Sequence, residues 1–241
     1  MIKWAGVSSD ELGLVVQHFP RRYIPKRKIE VESVPGRNED IIYSQDAFEN
    51  YEQPYSVFID ARSDGVPDHG RLDLISYKIT DWLLGNPGYQ RLEDSYEPTV
   101  YRRARFDGGT EFTNMFNEYG AGTLTFICGP QRFLKSGEFP IEIKTKYTKI
   151  KNPTAFEARP FIRLYGDGTC YLKFNTTQVM ITEVSEYVDI DVEARSIMKG
   201  TTNYSSKFIG KFEDLVLKGM TEISWSSGST KVEITPRWWA L

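Results

Sequence analysis

The second half of the chain is a succession of short segments in which apolar and polar residues alternate. Alternation with a period of two is typical of strands with one buried face. The spacing of these segments predicts a β-sandwich, in which Gly166-Asp-Gly168 is expected to be a hairpin turn. The predicted strands are Phe161–Tyr165, Cys170–Phe174, Val179–Val184, Val188–Glu193, Leu215–Leu217, Met220–Trp225 and Lys231–Thr235.

The first half also predicts strands, beginning with a strongly charged one. Between Ile24 and Val34, Ile29 and Val31 alternate with charged residues, so we expect them on the buried face of a half-buried strand. Pro35-Gly36 predicts a turn. After it, the sequence predicts a returning strand at Ile41–Tyr43, a polar segment at Tyr43–Pro54 that is a candidate arm, and strands at Tyr55–Asp60, Pro98–Phe106 and Thr123–Cys128.

One segment has the period of a helix. From about Gly70 to Leu84, apolar residues recur at helical spacing on one face. Asp68 is the expected N-cap, and Gly85 is expected in the left-handed conformation that follows many helices. Replacement of Gly85 is therefore expected to destabilise the chain.

Length and composition favour a globular protein with two domains. The 241 residues allow two ordinary domains, and we place their boundary between Ser136 and Pro153. Hydrophobic residues at 40% and charged residues at 26% are near the average for soluble proteins. Apolar runs stay far below the roughly 20 residues needed to cross a bilayer, so no membrane partner is expected.

The beginning of the chain and its cysteines predict a protein that stays in a cytoplasm. The first residues lack the continuous apolar segment of a secretory signal. Cys128 and Cys170 both fall within apolar alternation. We therefore expect them to be buried, reduced thiols rather than a disulfide.

Charge argues against specific nucleic-acid binding. The net charge is −3, whereas affinity for phosphates comes mainly from clustered Lys and Arg. The one basic cluster, Tyr101-Arg-Arg-Ala-Arg105, could be a nucleic-acid patch, but on a strand Arg103 and Arg105 share a face and Arg102 lies opposite. Structural or subunit-contact ion pairs are the favoured interpretation.

Candidate catalytic or metal-binding residues are few. His18 and His69 have no nearby Cys or second His, so zinc-ligand spacing is absent, and nucleotide-binding motifs are absent as well. Asp189 and Asp191 share one face of a strand, where they could hold calcium or serve a glycosidase as acid and base. The simpler interpretation is the solvated face of that strand, and no cofactor and no catalytic residue is predicted.

Three tryptophans could form a platform for sugar rings. Trp225 lies on a predicted strand, and Trp238 and Trp239 follow the last one. Aromatic residues at a chain end often pin it to its domain. This structural interpretation is favoured over sugar binding.

Three phrases of the sequence resemble a known family. They are Ser33-Val-Pro-Gly-Arg-Asn-Glu-Asp40, Phe126-Ile-Cys-Gly-Pro-Gln-Arg-Phe-Leu-Lys-Ser-Gly-Glu138 and Ile234-Thr-Pro-Arg-Trp-Trp239. At this spacing they resemble the distal tail (Dit) proteins of long-tailed bacteriophages, from Trp4 to the C-terminus. The middle phrase is the most specific of the three.

The resemblance implies a mainly β protein with two domains of different roles. Residues 1–140 would form an N-terminal, β-rich, ring-forming domain with one main helix, and residues 141–241 a C-terminal galectin-like β-sandwich. The ring would be a hexamer at the tip of the tail, assembled in the bacterial host cytoplasm and open to passing DNA. Its implied partners are the tail-tube protein, the tail-associated hub or lysin protein, and receptor-binding or baseplate proteins.

Candidate interface residues follow from the same resemblance. The turn Val34–Arg37 and the arm Asn38–Pro54 would contact the neighbouring subunit, and Arg37, Tyr43, Phe48 and Tyr51 are the candidate residues. The protein would then be structural and not an enzyme. Two alternatives remain at this point: a carbohydrate-binding or receptor-binding tail protein that recognises the host cell wall, and a glycoside hydrolase.

Overall fold

The computed structural model describes residues 1–17, 22–60, 69–115, 119–226 and 228–241. Within these ranges the chain is mainly β, and α1 (His69–Leu84) is the one α-helix. The chain divides into two compact units, Met1–Arg132 with Leu241, and Phe133–Ala240. No helix in the described ranges is long and apolar enough to span a membrane. The functional division at residue 140 stays a prediction.

The first unit is built on one large sheet. The strands up to Leu134 are β1 (Ile2–Trp4), β2 (Val7–Ser8), β3 (Leu14–Gln17), β4 (Arg27–Glu32), β5 (Ile41–Phe48), β6 (Tyr51–Asp60), β7 (Gln90–Asp94), β8 (Val100–Arg105), β9 (Phe112–Met115) and β10 (Tyr119–Leu134). In the sheet the order is β2-β1-β7-β8-β10-β6-β3, and β9 pairs with β10. A short 3-10 helix, Ser9–Leu12, precedes β3.

The helix packs on this sheet through the apolar face that the sequence predicts. Leu72, Ile79 and Trp82 are buried, and the Trp82 indole donates from Nε1 to the backbone carbonyl of Trp4 at 3.0 Å. The rest of this core is Ile2, Trp4, Leu14, Val16, Tyr55, Val57, Ile59, Leu83, Leu92, Ala104, Leu124, Phe126 and Cys128. The predicted helix is therefore confirmed.

The end of the helix differs from the prediction at Gly85. Gly85 does not have a positive φ, whereas Gly88 has a φ of +81°. A Cβ added at Gly85 would lie 2.4 Å from the carbonyl oxygen of Asp81, which also accepts a hydrogen bond from the Gly85 amide at 2.9 Å. Glycine is thus required here by close approach and not by left-handed geometry. The predicted N-cap, Asp68, lies outside the described residues.

Strands β4 and β5 form a separate two-stranded sheet. Every residue of β4 is exposed, including Ile29 and Val31. The prediction of a half-buried strand is therefore wrong within the single chain, because a two-stranded sheet has no second layer to cover its apolar face. The expected arm at Tyr43–Pro54 instead belongs to β5 and to the beginning of β6.

The second unit is a sandwich of two sheets. Its strands are β11 (Ile141–Ile143), β12 (Thr148–Lys151), β13 (Phe161–Gly166), β14 (Gly168–Phe174), β15 (Thr177–Val184), β16 (Tyr187–Asp191), β17 (Ser196–Lys199), β18 (Thr202–Asn203), β19 (Phe208–Ile209), β20 (Met220–Ser226), β21 (Ser229–Thr235) and β22 (Trp239–Ala240). One sheet has the order β11-β21-β13-β16-β17-β18, and the other β12-β20-β14-β15-β19. Short 3-10 helices lie at Lys135–Gly137, Ser205–Lys207 and Phe212–Leu215.

Residues of both sheets share the core of this unit. One sheet contributes Ile162, Leu164, Val188, Ile190, Val232 and Ile234, and the other Leu172, Phe174, Val179, Ile181, Ile223 and Trp225. Each set lies at alternate positions of its strands, so the predicted alternation and the predicted β-sandwich are confirmed.

Two local predictions in this unit are wrong. Gly166-Asp-Gly168 joins β13 and β14, which lie in different sheets, so it is a corner between sheets and not a hairpin turn. Leu215–Leu217 is not a strand, because a 3-10 helix ends at Leu215 and Leu217 makes only an isolated bridge with Ala158.

Candidate subunit interface

The hairpin formed by β4 and β5, Arg27–Phe48, is called the arm below. Its tip is a turn in which the Arg37 amide donates to the Val34 carbonyl at 3.1 Å. Pro35 and Gly36 are the central residues, and the φ of +84° at Gly36 fits the third position of a type II turn. This geometry places Arg37 at the exposed tip of the arm.

One face of the arm is apolar. Val31 pairs directly with Ile42, and Ile29 pairs with Ser44, so the three apolar side chains share a face. Ile29, Val31 and Ile42 are exposed by 43%, 56% and 62%. Large aliphatic side chains that cluster at such exposure mark a surface for association.

The other face of the arm is polar and bonded within itself. Tyr43 pairs with Glu30 across the ladder, and its hydroxyl donates to Glu32 Oε2 at 3.4 Å. Gln45 donates from Nε2 to Glu30 Oε1 at 2.9 Å. The candidate Tyr43 therefore lies opposite the apolar face, and the arm is amphipathic.

Phe48 lies at the base of the arm. It pairs with Arg27, whose guanidinium carbon is 4.9 Å from the centre of the Phe48 ring. The Glu49 amide donates to the Lys26 carbonyl at 2.8 Å and extends the pairing by one step. Phe48 is half-buried and is the last residue of the hairpin.

Tyr51 lies in one of the two segments, at Tyr23 and at Tyr51, through which the arm joins the rest of the first unit. These segments are called the roots of the arm below. Its hydroxyl accepts a hydrogen bond from Arg102 Nε at 3.0 Å, and its ring stacks on that of Tyr23 with 6.0 Å between centres. Burial raises the pKa of Tyr51, so its hydroxyl stays neutral at physiological pH. The candidate site therefore includes one internal residue.

A buried ionic network surrounds this root. Asp94 accepts hydrogen bonds from Tyr55 at 2.9 Å and from Arg102 Nη1 at 2.9 Å. Arg102 also pairs with Glu97 through Nη2, and Arg132 Nε lies 3.5 Å from Glu97 Oε2. Arg102 and Arg132 are only 3% and 2% exposed. Buried charges of this kind persist in proteins when they are paired.

The basic cluster has the structural role that was favoured for it. Arg102 lies in the buried network, whereas Arg103 is exposed on the opposite face of β8. Arg105 pairs with Asp107 at 2.8 Å. The predicted division of the arginines between two faces is confirmed.

Both cysteines are free and buried, as predicted. Cys128 lies beside the root network, and burial raises its pKa to about 12. Burial also raises the pKa of Cys170. Neither thiol is therefore a nucleophile at neutral pH, because the reactive species is the thiolate.

A second exposed apolar surface lies on α1. Leu74, Tyr77 and Leu84 are exposed and fall within one quadrant of the helix, which also contains the exposed, charged Asp81. This surface belongs to the same unit as the arm. It is called the helix face below.

The two acidic residues considered for metal binding or catalysis are held by arginines. Asp189 accepts from Arg163 at 2.6 and 2.8 Å, and Asp191 accepts from Arg237 at 2.8 and 2.9 Å. Each pair has the two-pronged geometry of strong charge-assisted hydrogen bonds. Among the described residues, no three His, Cys, Asp or Glu side chains are grouped as metal ligands. His18 and the side chain of His69 lie outside the part of the chain that is described.

The tryptophans do not form an exposed platform. Trp225 and Trp238 are buried in the sandwich core. Trp239 stacks on Phe156 with 4.5 Å between ring centres and donates from Nε1 to the Glu157 carbonyl at 2.9 Å. The aromatic residues at the end of the chain therefore pin it to the sandwich, as the favoured interpretation expected.

The middle and last phrases of the sequence meet in the second unit. The Leu134 amide donates to the Trp238 carbonyl, and the Arg237 amide donates to the Gly137 carbonyl, both at 2.8 Å. A Cβ at Gly137 would lie 2.4 Å from the Trp238 backbone nitrogen. The close packing of these two phrases explains why residue 137, which lies against Trp238, is a glycine.

Sequence reasoning missed the exposed apolar face of the arm. Ile29 and Val31 were assigned to a buried face, and Ile42 was not singled out. The alternation identified the apolar face of the arm correctly, but no local sequence pattern shows whether another part of the same chain covers that face. Arg102 and Arg132 were also missed as root residues, because the root residues that they contact, Tyr51 and Tyr23, are distant from them in sequence.

Comparison with known proteins finds similarity among solved structures. No protein-family model matches the chain. No curated protein matches it either. Among solved structures, the chain is similar to the crystal structure of SPP1 Dit (gp 19.1) protein, described as a paradigm of the hub adsorption apparatus in phages that infect Gram-positive bacteria. The TM-score is 0.79 at 14% sequence identity, over 100% of this chain and 98% of that chain. Over its whole length, the chain therefore has a Dit-like fold.

Proposed function

We propose that this chain is the distal tail protein of a long-tailed phage, a structural virion component that joins the tail tube to the tail tip. The observation that carries the proposal is the likeness in fold to SPP1 Dit over the full length of both chains. The three sequence phrases support it independently, because they were identified without reference to any fold. The role is structural, with no catalytic step.

The arm supports self-association. An isolated two-stranded hairpin is marginally stable in water, and the arm also exposes Ile29, Val31 and Ile42 on one face. Covering an aliphatic side chain of this size contributes about 1.5 to 3 kcal/mol. We infer that a second copy of the chain provides the cover.

A ring needs two different patches on each subunit. Head-to-tail contacts close into a ring when the rotation between neighbours returns to the first subunit. The apolar face of the arm is one such patch, and the helix face, with Leu74 and Tyr77, offers the other. We infer that the arm of one copy covers the helix face of the next, and that six copies close the ring.

Net charge suits a conduit for DNA. Six copies at −3 each carry −18, which disfavours adhesion to the phosphate backbone. In this arrangement residues 1–140 form the ring between the tail-tube protein and the tail-associated hub or lysin protein. Residues 141–241 form the outward sandwich that docks baseplate or receptor-binding proteins. The assembly forms in the bacterial cytoplasm and ends at the tail tip of the virion.

The position in the virion can be tested by immunogold electron microscopy. Antibodies against the purified chain would be applied to intact particles of the phage that encodes it. We expect gold at the distal end of the tail, where the outward sandwich is accessible. Labelling at the capsid, labelling along the tube, or absence of the chain from particles on immunoblots would overturn the proposal.

A further inference from the structure

The arm leaves the first unit through two root segments, one at Tyr23 and one at Tyr51. We propose that Arg102 and Arg132 form a clamp that grips both roots and fixes the direction of the arm, and that association between copies depends on this direction. The second half of the inference rests on the proposed ring. The first half concerns the single chain alone.

Arg132 grips the first root through the backbone. Its Nη2 donates to the Tyr23 carbonyl at 2.8 Å, and its guanidinium carbon is 5.6 Å from the centre of the Tyr51 ring. Arg132 is only 2% exposed, and Glu97 Oε2 lies 3.5 Å from its Nε as an opposite charge without a hydrogen bond. One side chain therefore contacts both roots of the arm.

Arg102 grips the second root through a side chain. Its Nε donates to the Tyr51 hydroxyl at 3.0 Å, and its other nitrogens bond Asp94 and Glu97. Asp94 is fixed in turn by the backbone amides of Tyr96 and Glu97, at 3.0 and 2.8 Å. The arginine fork is thus oriented by groups of the main sheet, outside the arm.

Glu97 lies next to both arginines of the clamp. It pairs with Arg102 and lies 3.5 Å from Arg132, and Arg22, next to the first root, approaches its Oε1 at 3.4 Å. The stacked rings of Tyr23 and Tyr51 join the roots directly. Few rotations remain at either root while these contacts hold.

The clamp is separate from the ladder that folds the arm. The arm is held together by its own pairing from Arg27–Phe48 to Glu32–Ile41. Loss of the clamp is therefore expected to free the direction of the arm without unfolding the hairpin. A measurement of the direction of the arm, unlike a measurement of stability, can therefore detect loss of the clamp.

The experiment measures a distance between the arm and the body of the unit. Spin labels are placed at Asn38→Cys near the tip and at Lys78→Cys on α1, both at exposed positions, in an otherwise full-length chain. The native thiols are buried, so the label is directed to the introduced cysteines. Labelled protein is diluted into excess unlabelled protein, so that distances within one chain are recorded by pulsed electron spin resonance.

Two clamp variants and one control are compared in this background. Arg132→Met removes the grip on Tyr23, and Tyr23→Ala, at a half-buried position, removes the ring stack at lower risk to folding. The control Tyr101→Ala removes a half-buried tyrosine of β8 that lies under Arg91, at 3.8 Å. We expect one narrow distance for the parent and the control, and loss of that single peak in both clamp variants.

The outcomes separate the clamp from the ring. Equally narrow distances in all variants that fold, or a broad distribution in the parent, would overturn the clamp whatever the oligomeric state. Light scattering on each variant alone, without diluting protein, should show association weakened at least about tenfold in the clamp variants. Broad distances with unchanged association would overturn the dependence of association on direction. A monomeric parent with a narrow distance would support the clamp and count against the ring.

Discussion

Arg132 Nη2 donates a hydrogen bond to the backbone carbonyl of Tyr23 at 2.8 Å, across 109 positions of sequence. Arg132 belongs to the middle phrase, Phe126–Glu138, and Tyr23 lies four positions before the first residue of the arm. Gly137, in the same phrase, packs against Trp238 of the last phrase. Residues of the middle phrase therefore contact both the root of the arm and the last phrase of the sequence.

The apolar face of the arm should govern association. Ile42→Lys places a charge on that face and is expected to weaken association at least about tenfold, because an exposed aliphatic contact is lost. The free energy of unfolding of the monomer should change by less than about 0.5 kcal/mol. Sedimentation equilibrium over a dilution series measures the first quantity, and urea unfolding the second.

The control for this variant lies on the same strand. Gln45→Lys introduces the same residue on the polar face, next to Glu30. Association should be unchanged. Equal weakening by both substitutions would mean that general charge, and not the apolar face, controls association.

The contact between Gly137 and Trp238 should make Gly137→Ala destabilising. The new Cβ would lie 2.4 Å from the Trp238 backbone nitrogen, and relief of such an overlap typically costs about 1 to 3 kcal/mol. Gly120→Ala is the control, because its Cβ would meet Ile59 and Leu72 at an ordinary 3.5 Å. In thermal unfolding, the midpoint temperature should be clearly lower than that of the parent for Gly137→Ala and not for Gly120→Ala. Equal midpoints would contradict the packing described.

The two thiols should resist modification in the folded protein. A pKa of about 12 leaves Cys128 with on the order of 10³-fold less thiolate at pH 8 than an ordinary cysteine. Burial also blocks access of the reagent to both thiols. Titration with a chromogenic disulfide should detect two thiols in denaturant and almost none in buffer. Fast reaction of either thiol in buffer would contradict its burial.

Acid should weaken the sandwich through Asp191. Burial alone would raise the pKa of Asp191, but hydrogen bonds from Arg237 and from the Ala194 amide outweigh burial and lower the pKa below its usual value. A carboxylate whose pKa is lower when folded contributes stability above its unfolded pKa, roughly 3.9. That contribution is lost as pH falls through the lower, folded value.

Urea unfolding between pH 6 and pH 2.5 measures this loss. The contribution is about 1 kcal/mol, because the pair is partly exposed and screened by solvent. Asp191→Asn should be less stable than the parent at pH 6 and lose less stability on acidification. Identical pH profiles for the parent and the variant would refute the role of this pair.

The sequence predicted those features that depend on local periodicity. Residues such as Leu72 and Trp82 repeat at helical spacing, and Ile162 and Leu164 alternate, so α1 and the sandwich strands could be located. Exposure of Ile29 and Val31 could not be predicted, because alternation identifies a face but not what covers it. Strand order and the partners of Arg132 depend on contacts distant in sequence, which no local pattern encodes.

The oligomeric state of the purified chain tests the ring most directly. Light scattering coupled to size-exclusion chromatography gives the mass, and negative-stain images of the same peak give the symmetry. Six copies of the 27.8 kDa chain would give about 167 kDa and six-fold rings with a central opening. A mass of 27.8 kDa at the highest attainable concentration, with no rings in the images, would contradict self-assembly through the arm.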